Sequence, residues 1–502
     1  MKIFSSEQIR DIDSYTIANE PIASVDLMER ASNAIFEWMA QNLSSTKRFI
    51  FICGPGNNGG DGLAVARMIY FAGFNASVYY VDSTSYSSDF TINLNRLKKT
   101  NIDLKIIIGE SDFPLLSHND IIVDALYGSG LSRPIDGLMA KLVQHINQSG
   151  LDVVSIDIPS GLFSNENPYP NNNTIVKAKV CLTLQFPKLS FLFAENEQYV
   201  GRWIVLPIGL HPRVIEEKST QFFYLGSDDI KTILRPRPTF AHKGTYGHCL
   251  IVAGSYGMIG AAALCTKAVV SSGSGLVTAH IPKCGYDALQ QLVPIAMCKV
   301  DSNEYFITDV SELDRYNSIC IGPGLGTNPT TVTMLEEIIS RAKSSLIIDA
   351  DALNIISQNK GLLSALPEST IITPHPGEFD RLFGKSTCGL ERMKKAIEAA
   401  RMYKLIVVLK GAHTQIVNSY GCVYFNSTGN AGMATGGSGD VLTGVIGGLL
   451  AQGYTPLNAA KMGVYIHGVA GDIAKINFGE TSLSAQNIAE SLSLAFKYFE
   501  QE

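Results

Sequence analysis

Two glycine-rich segments and a set of aspartates supply the residue types from which a site for a phosphorylated ligand can be built. The first segment, Gly54-Pro55-Gly56-Asn57-Asn58-Gly59-Gly60-Asp61-Gly62, follows the apolar run 48–53 and precedes a helical run from Leu63 to Phe71. Glycine lets backbone come close to a ligand, and a helix N-terminus offers free N–H groups and positive dipole charge to a phosphate. Gly54, Gly56 and Gly59 satisfy G-x-G-x-x-G, and Asp82 stands about 20 residues on, the pattern of a dinucleotide fingerprint. Asn57, Asn58 and Asp61 argue against that pattern, because a pyrophosphate turn does not want a carboxylate inside it. A tight turn with Asp61 as helix N-cap is the purely structural alternative.

Asp124 closes a further strand and leads into Ala125-Leu126-Tyr127-Gly128-Ser129-Gly130-Leu131-Ser132-Arg133-Pro134, and Asp157 closes a third ahead of Ile158-Pro159-Ser160-Gly161. In an open parallel sheet the carboxyl ends of the strands face one crevice, so Asn58, Asp61, Asp124, Asp157 and Ser160 are expected to converge. Hard oxygen donors grouped in this way suit a cation, and a carboxylate among them suits proton transfer.

The second glycine segment, Gly436-Gly437-Ser438-Gly439-Asp440, opens a helix over Val441 to Leu450. Its amides can cradle a phosphate, and Asp440 stands where a carboxylate could take the proton from a hydroxyl attacking that phosphate. The alternative is a glycine-rich helix start with Asp440 as N-cap. No G-x-x-x-x-G-K-[ST] occurs, which disfavours a P-loop fold. Lys410-Gly411-Ala412-His413-Thr414 follows the run Leu405 to Leu409 and places a cation at another strand end. His375, Gly324, Lys243 and the polar stretch Asn426 to Thr435 also lie in strand-end or loop segments. His118, His145, His211, His248, His280 and His467 are read as structural.

These positions need α/β scaffolds to hold them. Apolar runs at 48–53, 76–82, 104–108, 120–124 and 152–157 alternate with helical stretches, and Ser24 is a candidate N-cap for a helix over Val25 to Gln41. Such alternation implies a parallel sheet covered on both faces. The charged, proline-bearing stretch Arg213 to Pro238 breaks the rhythm and is the expected linker, giving domains 1–224 and 225–502. In the second domain, strands are expected at 249–253, 276–281, 318–321, 346–348, 370–373 and 405–409, and a hairpin pairs 414–417 with 422–425. Helices are expected at 259–272, 330–343, 389–403, 440–452 and 484–499.

Composition narrows the function. With 502 residues, the chain is long enough for two large domains or three smaller ones. A formal charge of −6 argues against a general nucleic-acid or membrane-surface binder, and no apolar run approaches a membrane span. Glycine, at 45 residues, exceeds the average share and is concentrated in the loops just described. The nine cysteines form no C-x-x-C pair and suit buried thiols in a cytoplasmic, reducing compartment.

Segments 54–62, 124–134 and 157–161 together resemble the NAD(P)H-hydrate epimerase family over about the first 210 residues. That resemblance implies a Rossmann-like three-layer domain in which Asn57, Asn58, Gly59, Gly60, Asp61, Gly128, Ser129, Gly130, Leu131, Ser132, Arg133, Pro134 and Asp157 bind the hydrated cofactor. It also implies potassium held by Asn58, Asp124 and Ser160, with Asp157 as the proton-transfer residue. Residues 235–500 resemble the ADP- or ATP-dependent NAD(P)H-hydrate dehydratases, a branch of the ribokinase-like α/β fold. By that resemblance Ala261, Gly324, His375 and the catalytic Asp440 contact the hydrate. Lys410, Gly411, Ala412, His413, Thr414 and Gly439 contact ADP or ATP, with Mg2+ neutralising its charge. Ala431 stands where the family pattern has proline, a change that removes no chemical group. The expectation is therefore a homo-oligomeric cofactor-repair enzyme acting on small molecules. An NAD-dependent oxidoreductase, a ribokinase-like vitamin or sugar kinase, and a non-catalytic scaffold are the competing readings.

Overall fold

A central strand of the first unit, β1 (Arg48–Cys53), is apolar from Phe49 to Cys53, and this suits a strand covered on both faces. Phe49, Phe51 and Cys53 point into a core shared with α2 (Ser24–Asn42) and α3 (Asn57–Phe71), while Ile50 and Ile52 join Leu142, Val143 and Ile146 of α5 (Gly137–Gln148) on the other face. A computed structural model of the chain describes residues 1–500. It divides into two units, Met1–Phe222 and Phe223–Glu502, two residues before the break expected from the linker.

In the first unit, β2 (Asn75–Val81), β3 (Asp103–Ile107), β4 (Asp120–Ala125), β5 (Asp152–Ile156), β6 (Val180–Leu184) and β7 (Arg202–Leu206) complete a sheet of order β3-β2-β1-β4-β5-β6-β7. Each neighbouring pair in it is parallel. The order reverses between β1 and β4, and that is where a doubly wound sheet opens its ligand crevice. Helix α1 (Ser6–Asn19) borders it, and α4 (Ser88–Leu97) packs on α3. The cap of α1 is reciprocal: Gln8 N–H donates to Ser5 Oγ at 3.2 Å and Ser5 N–H donates to Gln8 Oε1 at 3.0 Å.

For α2 the expected Ser24 cap is replaced. Ala23 is the capping residue, its N–H donates to Asp26 Oδ2 at 3.1 Å, and the Ser24 hydroxyl donates instead to Asp89 at 2.6 Å.

The second unit is built on β8 (His248–Val252), β9 (Leu276–Ile281), β10 (Met297–Val300), β11 (Ser318–Ile321), β12 (Ser345–Ile348), β13 (Ile371–Ile372), β14 (Ile406–Leu409), β15 (Gln415–Val417) and β16 (Val423–Phe425). Within this unit the order is β16-β15-β14-β13-β12-β11-β8-β9-β10, parallel up to β14 and antiparallel through the hairpin β15–β16. Its core helix α8 (Ser438–Ala451) packs at backbone distance on α6 (Ile259–Ser271): a Cβ on Gly444 would sit 2.3 Å from the Cys265 carbonyl oxygen. The remaining helices used below are α7 (Pro376–Phe383), α9 (Pro456–Phe478) and α10 (Ala485–Glu500).

All nine cysteines are free thiols, five of them buried and four partly exposed. Among the described residues no helix is long and apolar enough to cross a membrane.

Candidate active sites

The first glycine segment is the opening of a helix. Helix α3 starts at Asn57, with Gly56 as the capping residue, so Asp61 lies within its second turn and is not the N-cap. Two glycines make the turn possible. A Cβ on Gly59 would sit 1.8 Å from the Gly54 carbonyl oxygen, and one on Gly54 would sit 1.9 Å from that of Leu126. The backbones of the two strand-end loops therefore touch, and Gly54 N–H donates to the Ala125 carbonyl at 3.0 Å.

Above this contact lies a cavity of about 540 Å³ lined by Asp13, Asn57, Asn58, Asp61, the 126–133 loop, Asp157 and Lys188. Every expected ligand residue from Gly128 to Arg133 lines it, as do Asn57, Asn58, Asp61 and Asp157. Gly59 and Gly60 pack beneath it, and Pro134 is outside its lining. Asp82 is also outside and accepts from Tyr86 Oη at 3.5 Å, so the fingerprint acid has no place in this cavity.

The cavity floor is a cluster of carboxyls around one ammonium group. Asp157, with φ at 67°, occupies the left-handed region that non-glycine residues seldom adopt. Its Oδ1 is 2.8 Å from the fully buried Lys188 Nζ, and Ser129 N–H donates to Oδ2 at 3.1 Å. Burial works against the Asp157 charge, but Lys188 outweighs it and holds the carboxyl below the usual carboxylate range. Burial, reinforced by the charge on Asp157, pushes Asp13 up to about 6 and Asp61 well above its ordinary value. One ionised carboxylate thus sits beside two carboxyls that bind protons readily. Asp13 and Lys188 were not singled out from sequence, because each belongs to an unremarkable local pattern and only the fold brings it to Asp157.

Below the cavity, Asp124 is completely buried. Its oxygens accept from Ser155 Oγ at 2.8 Å, Ser160 Oγ at 2.6 Å, Ser160 N at 2.9 Å and Leu126 N at 3.3 Å, all uncharged donors. Burial raises its carboxyl. Asn58 lies beside Gly128, and its buried Nδ2 finds no hydrogen-bond partner. A turned-over amide would present Oδ1 there instead. A neutral carbonyl oxygen, a hydroxyl and a carboxylate without a cationic partner fit a loosely held monovalent cation.

In the second unit the capping residue of α8 is Gly437, with φ at 89°, which leaves Asp440 in the first turn of the helix. A Cβ on Gly439 would sit 3.1 Å from Lys410 Nζ, so the lysine tip rests against the helix start. Lys410 pairs with Asp349 Oδ1 at 2.8 Å, and Thr443 Oγ1 donates to the other Asp349 oxygen at 2.7 Å. Burial opposes the Lys410 charge, but Asp349 and then Glu378 outweigh it and raise the ammonium above the usual lysine range. Burial first, then the neighbouring Asp349 charge, pushes Asp440 up to about 7.

A cavity of about 790 Å³ is lined by His375, Lys410 to Thr414, Thr428 to Ala431, Ser438, Gly439 and His467. All six expected nucleotide contacts line it. Ala261, Gly324 and Asp440 do not; a Cβ on Gly324 would lie 3.1 Å from that of Ala261, so these two form a neighbouring patch. His375 caps α7, accepting from Gly377 N–H at 3.0 Å.

His467, read from sequence as structural, lines the cavity from α9 and is pushed down to about 4 by burial, so its ring is neutral at physiological pH. A usable signal was the pair Gly468 and Gly471. A Cβ at Gly468 would strike Thr428 and one at Gly471 would strike Met433, so the pair marks the helix face on which the 426–435 loop rests.

Comparison with known proteins finds two families along the chain. Residues 249–494 match the family described as NAD(P)H-hydrate dehydratase, and residues 24–190 match the YjeF-related protein N-terminus. The chain is 32% identical to the bifunctional NAD(P)H-hydrate repair enzyme Nnr of Moorella thermoacetica, over 100% of this chain and 98% of the relative. It is 33% identical to the enzyme of the same name from Thermofilum pendens, over 100% and 97%. A ribokinase-like superfamily protein of Enterococcus faecalis superposes with a TM-score of 0.50 at 26% identity, covering 57% of this chain and 99% of that one. With a full-length match to such relatives and a ribokinase-like second unit, the chain belongs to the family of bifunctional NAD(P)H-hydrate repair enzymes.

Proposed function

We propose that the two cavities divide the repair of hydrated NADH and NADPH between them. The first unit interconverts the R and S hydrates, and the second uses ADP or ATP to dehydrate the S form. The observation that carries this reading is Asp440, poised at about 7 in the first turn of a helix whose opening glycines lie against Lys410.

In the second site the amides of Gly437 to Gly439 and the Lys410 ammonium receive the nucleotide phosphates. Asp440 accepts the proton of the ring hydroxyl as its oxygen attacks the terminal phosphorus and the bond to the leaving nucleotide breaks. The ring nitrogen lone pair then expels phosphate, and loss of a proton from the adjacent ring carbon restores the double bond. Magnesium accompanying the nucleotide would neutralise its charge. Ala261, Gly324 and His375 form the wall for the hydrate, and Lys410 to Thr414 hold the nucleotide.

In the first site Asn57, Asn58, Asp61 and the 128–133 loop bind the hydrated cofactor. The hydroxylated carbon bears the ring nitrogen, so departure of the hydroxyl as water gives a planar centre that water can re-enter from either face. Asp157, kept ionised by Lys188, takes the proton from the incoming water, and the carboxyl of Asp13 or Asp61 supplies one to the leaving hydroxyl. Asn58, Asp124 and Ser160 would hold potassium, which would compensate the buried Asp124 charge. Free thiols throughout suit a cytoplasmic setting.

The test supplies hydrated NADH with ADP or with ATP, plus magnesium, and follows absorbance of the reduced nicotinamide. Regeneration that needs the nucleotide supports the reading, and regeneration at the same rate without any nucleotide would refute it.

A further inference from the structure

His280 lies on β9, paired with Val252 of β8 on one side and Lys299 of β10 on the other. Its side chain is 1% exposed, and neither ring nitrogen has a hydrogen-bond partner. A buried imidazole in that state has given up the bonds that water would make to both nitrogens. Its Nε2 faces Asp301 Oδ2 at 3.5 Å without hydrogen-bonding it, and Asp309 completes a trio whose ligand atoms all lie within 4.8 Å of one another.

Asp301 is buried and held rigidly. Its Oδ1 accepts from Asn303 N at 2.8 Å and Thr308 Oγ1 at 2.9 Å, and its Oδ2 accepts from Thr308 N at 2.7 Å and Asp309 N at 3.4 Å. Bonds of this kind orient a carboxylate for an ion. Asp309 is exposed and gives the trio an opening to solvent. None of the three lines either cavity described above.

We propose that His280, Asp301 and Asp309 form a binding site for one divalent transition-metal ion of the zinc type, with water in its remaining positions. One imidazole and two carboxylates match the ligand preferences of such ions, whereas calcium and magnesium favour oxygen alone. Ligand atoms about 2.0–2.2 Å from an ion stand roughly 3–3.5 Å apart, so rotation of the exposed Asp309 suffices to close the trio.

A bound ion ties the end of β9 to the 301–309 loop. That loop accepts a hydrogen bond from Tyr256 N to the Tyr305 carbonyl at 2.8 Å, and the neighbouring Ser255 Oγ donates to the Gly324 carbonyl at 2.8 Å. Metal occupancy thereby steadies the segment carrying Gly324. That consequence rests on the hydrate-binding role proposed for Gly324, whereas metal binding itself does not.

The experiment strips the full chain with a chelator and titrates it with Co2+, reading the visible absorption of the ligated ion and the thermal midpoint. One equivalent should bind, displaceable by Zn2+ and raising the midpoint. Asp309→Asn and His280→Gln should each weaken Co2+ affinity at least tenfold. Asp309 is exposed, so Asp309→Asn should keep the midpoint of the metal-free parent and decides the matter alone if His280→Gln does not fold. No Co2+ bound by the parent, or unchanged affinity in a folded variant, overturns the three-residue site.

Discussion

Replacing Asp440 with asparagine keeps the shape of the side chain and removes its ability to take a proton. Burial and Asp349 move this carboxyl from 3.8 to about 7. At 1.36 kcal/mol per pH unit this shift costs the ionised folded protein roughly 4 kcal/mol, and water reaching the partly open carboxylate reduces that to about 2–4 kcal/mol. A carboxyl raised on folding contributes stability that is complete below its unfolded pKa and is lost as pH rises through the folded value. The parent should therefore lose stability between pH about 4 and 7 relative to Asp440→Asn, and the variant should melt higher at pH 8 although the two are closely matched at pH 4.

Loss of a general base lowers the dehydration rate by about 10²–10⁴-fold. In the parent, kcat/KM for dehydration should fall with unit slope as pH drops below about 7, and the residual rate of the variant should lack that limb. Two assays read the outcome: absorbance of regenerated NADH, and chromatography of the two hydrates for epimer exchange. Dehydration within tenfold of the parent, or loss of epimer exchange in a folded variant, would refute the assignment.

Potassium should accelerate epimer exchange more than sodium at equal ionic strength, and equal rates would remove the cation assigned to Asn58, Asp124 and Ser160. Gly59→Ala drives a Cβ to 1.8 Å from the Gly54 carbonyl and should destabilise the first unit by about 1–3 kcal/mol or more, abolishing epimer exchange while dehydration persists; a parental denaturation profile would contradict the contact. Asp472 accepts from Gly429 N and Asn430 Nδ2, both at 2.9 Å, so Asp472→Ala should raise the KM for nucleotide about tenfold with a smaller change in kcat, measured in steady-state dehydration assays.

The elements that position the chemistry were legible where their residues make a local pattern. Strand β1 reads as an apolar run, β15 and β16 flank a recognisable turn, and the glycine segments mark backbone contacts that exclude a Cβ. Helix α9 escaped because it is apolar nearly all round and has no polar face to give it a period. Strands β6 and β7 are short and lie among irregular segments, so no flanking helical pattern frames them. The start of α3 was placed six residues late because Asn57 to Gly62 reads as loop by propensity, and tertiary packing against the 126–128 segment overrides that preference. Asp157, Asp124 and Asp440 were visible as acids at strand or helix ends. Asp349 to Asn354 was legible as a strand-end segment, but no spacing rule links Asp349 to Thr443 and Lys410 across the sheet, and Lys188 and Asp13 acquire their meaning only from what the fold places beside them.

The division of labour is tested most directly by complementation between two full-length variants. Given mixed R and S hydrate, excess nucleotide and magnesium, Asp157→Asn alone should regenerate NADH in a fast phase that consumes the S form and then slow to the uncatalysed rate of epimerisation. If the unpaired buried Lys188 impairs folding, Asp157→Asn/Lys188→Met removes both charges and takes its place. Asp440→Asn alone should exchange epimers and regenerate almost nothing. Mixed together, the two should convert all of the hydrate in one continuous progress curve. Consumption of both epimers by Asp157→Asn at the parental rate, or a mixture that stalls with R hydrate remaining, would contradict two separate sites linked by a diffusing substrate.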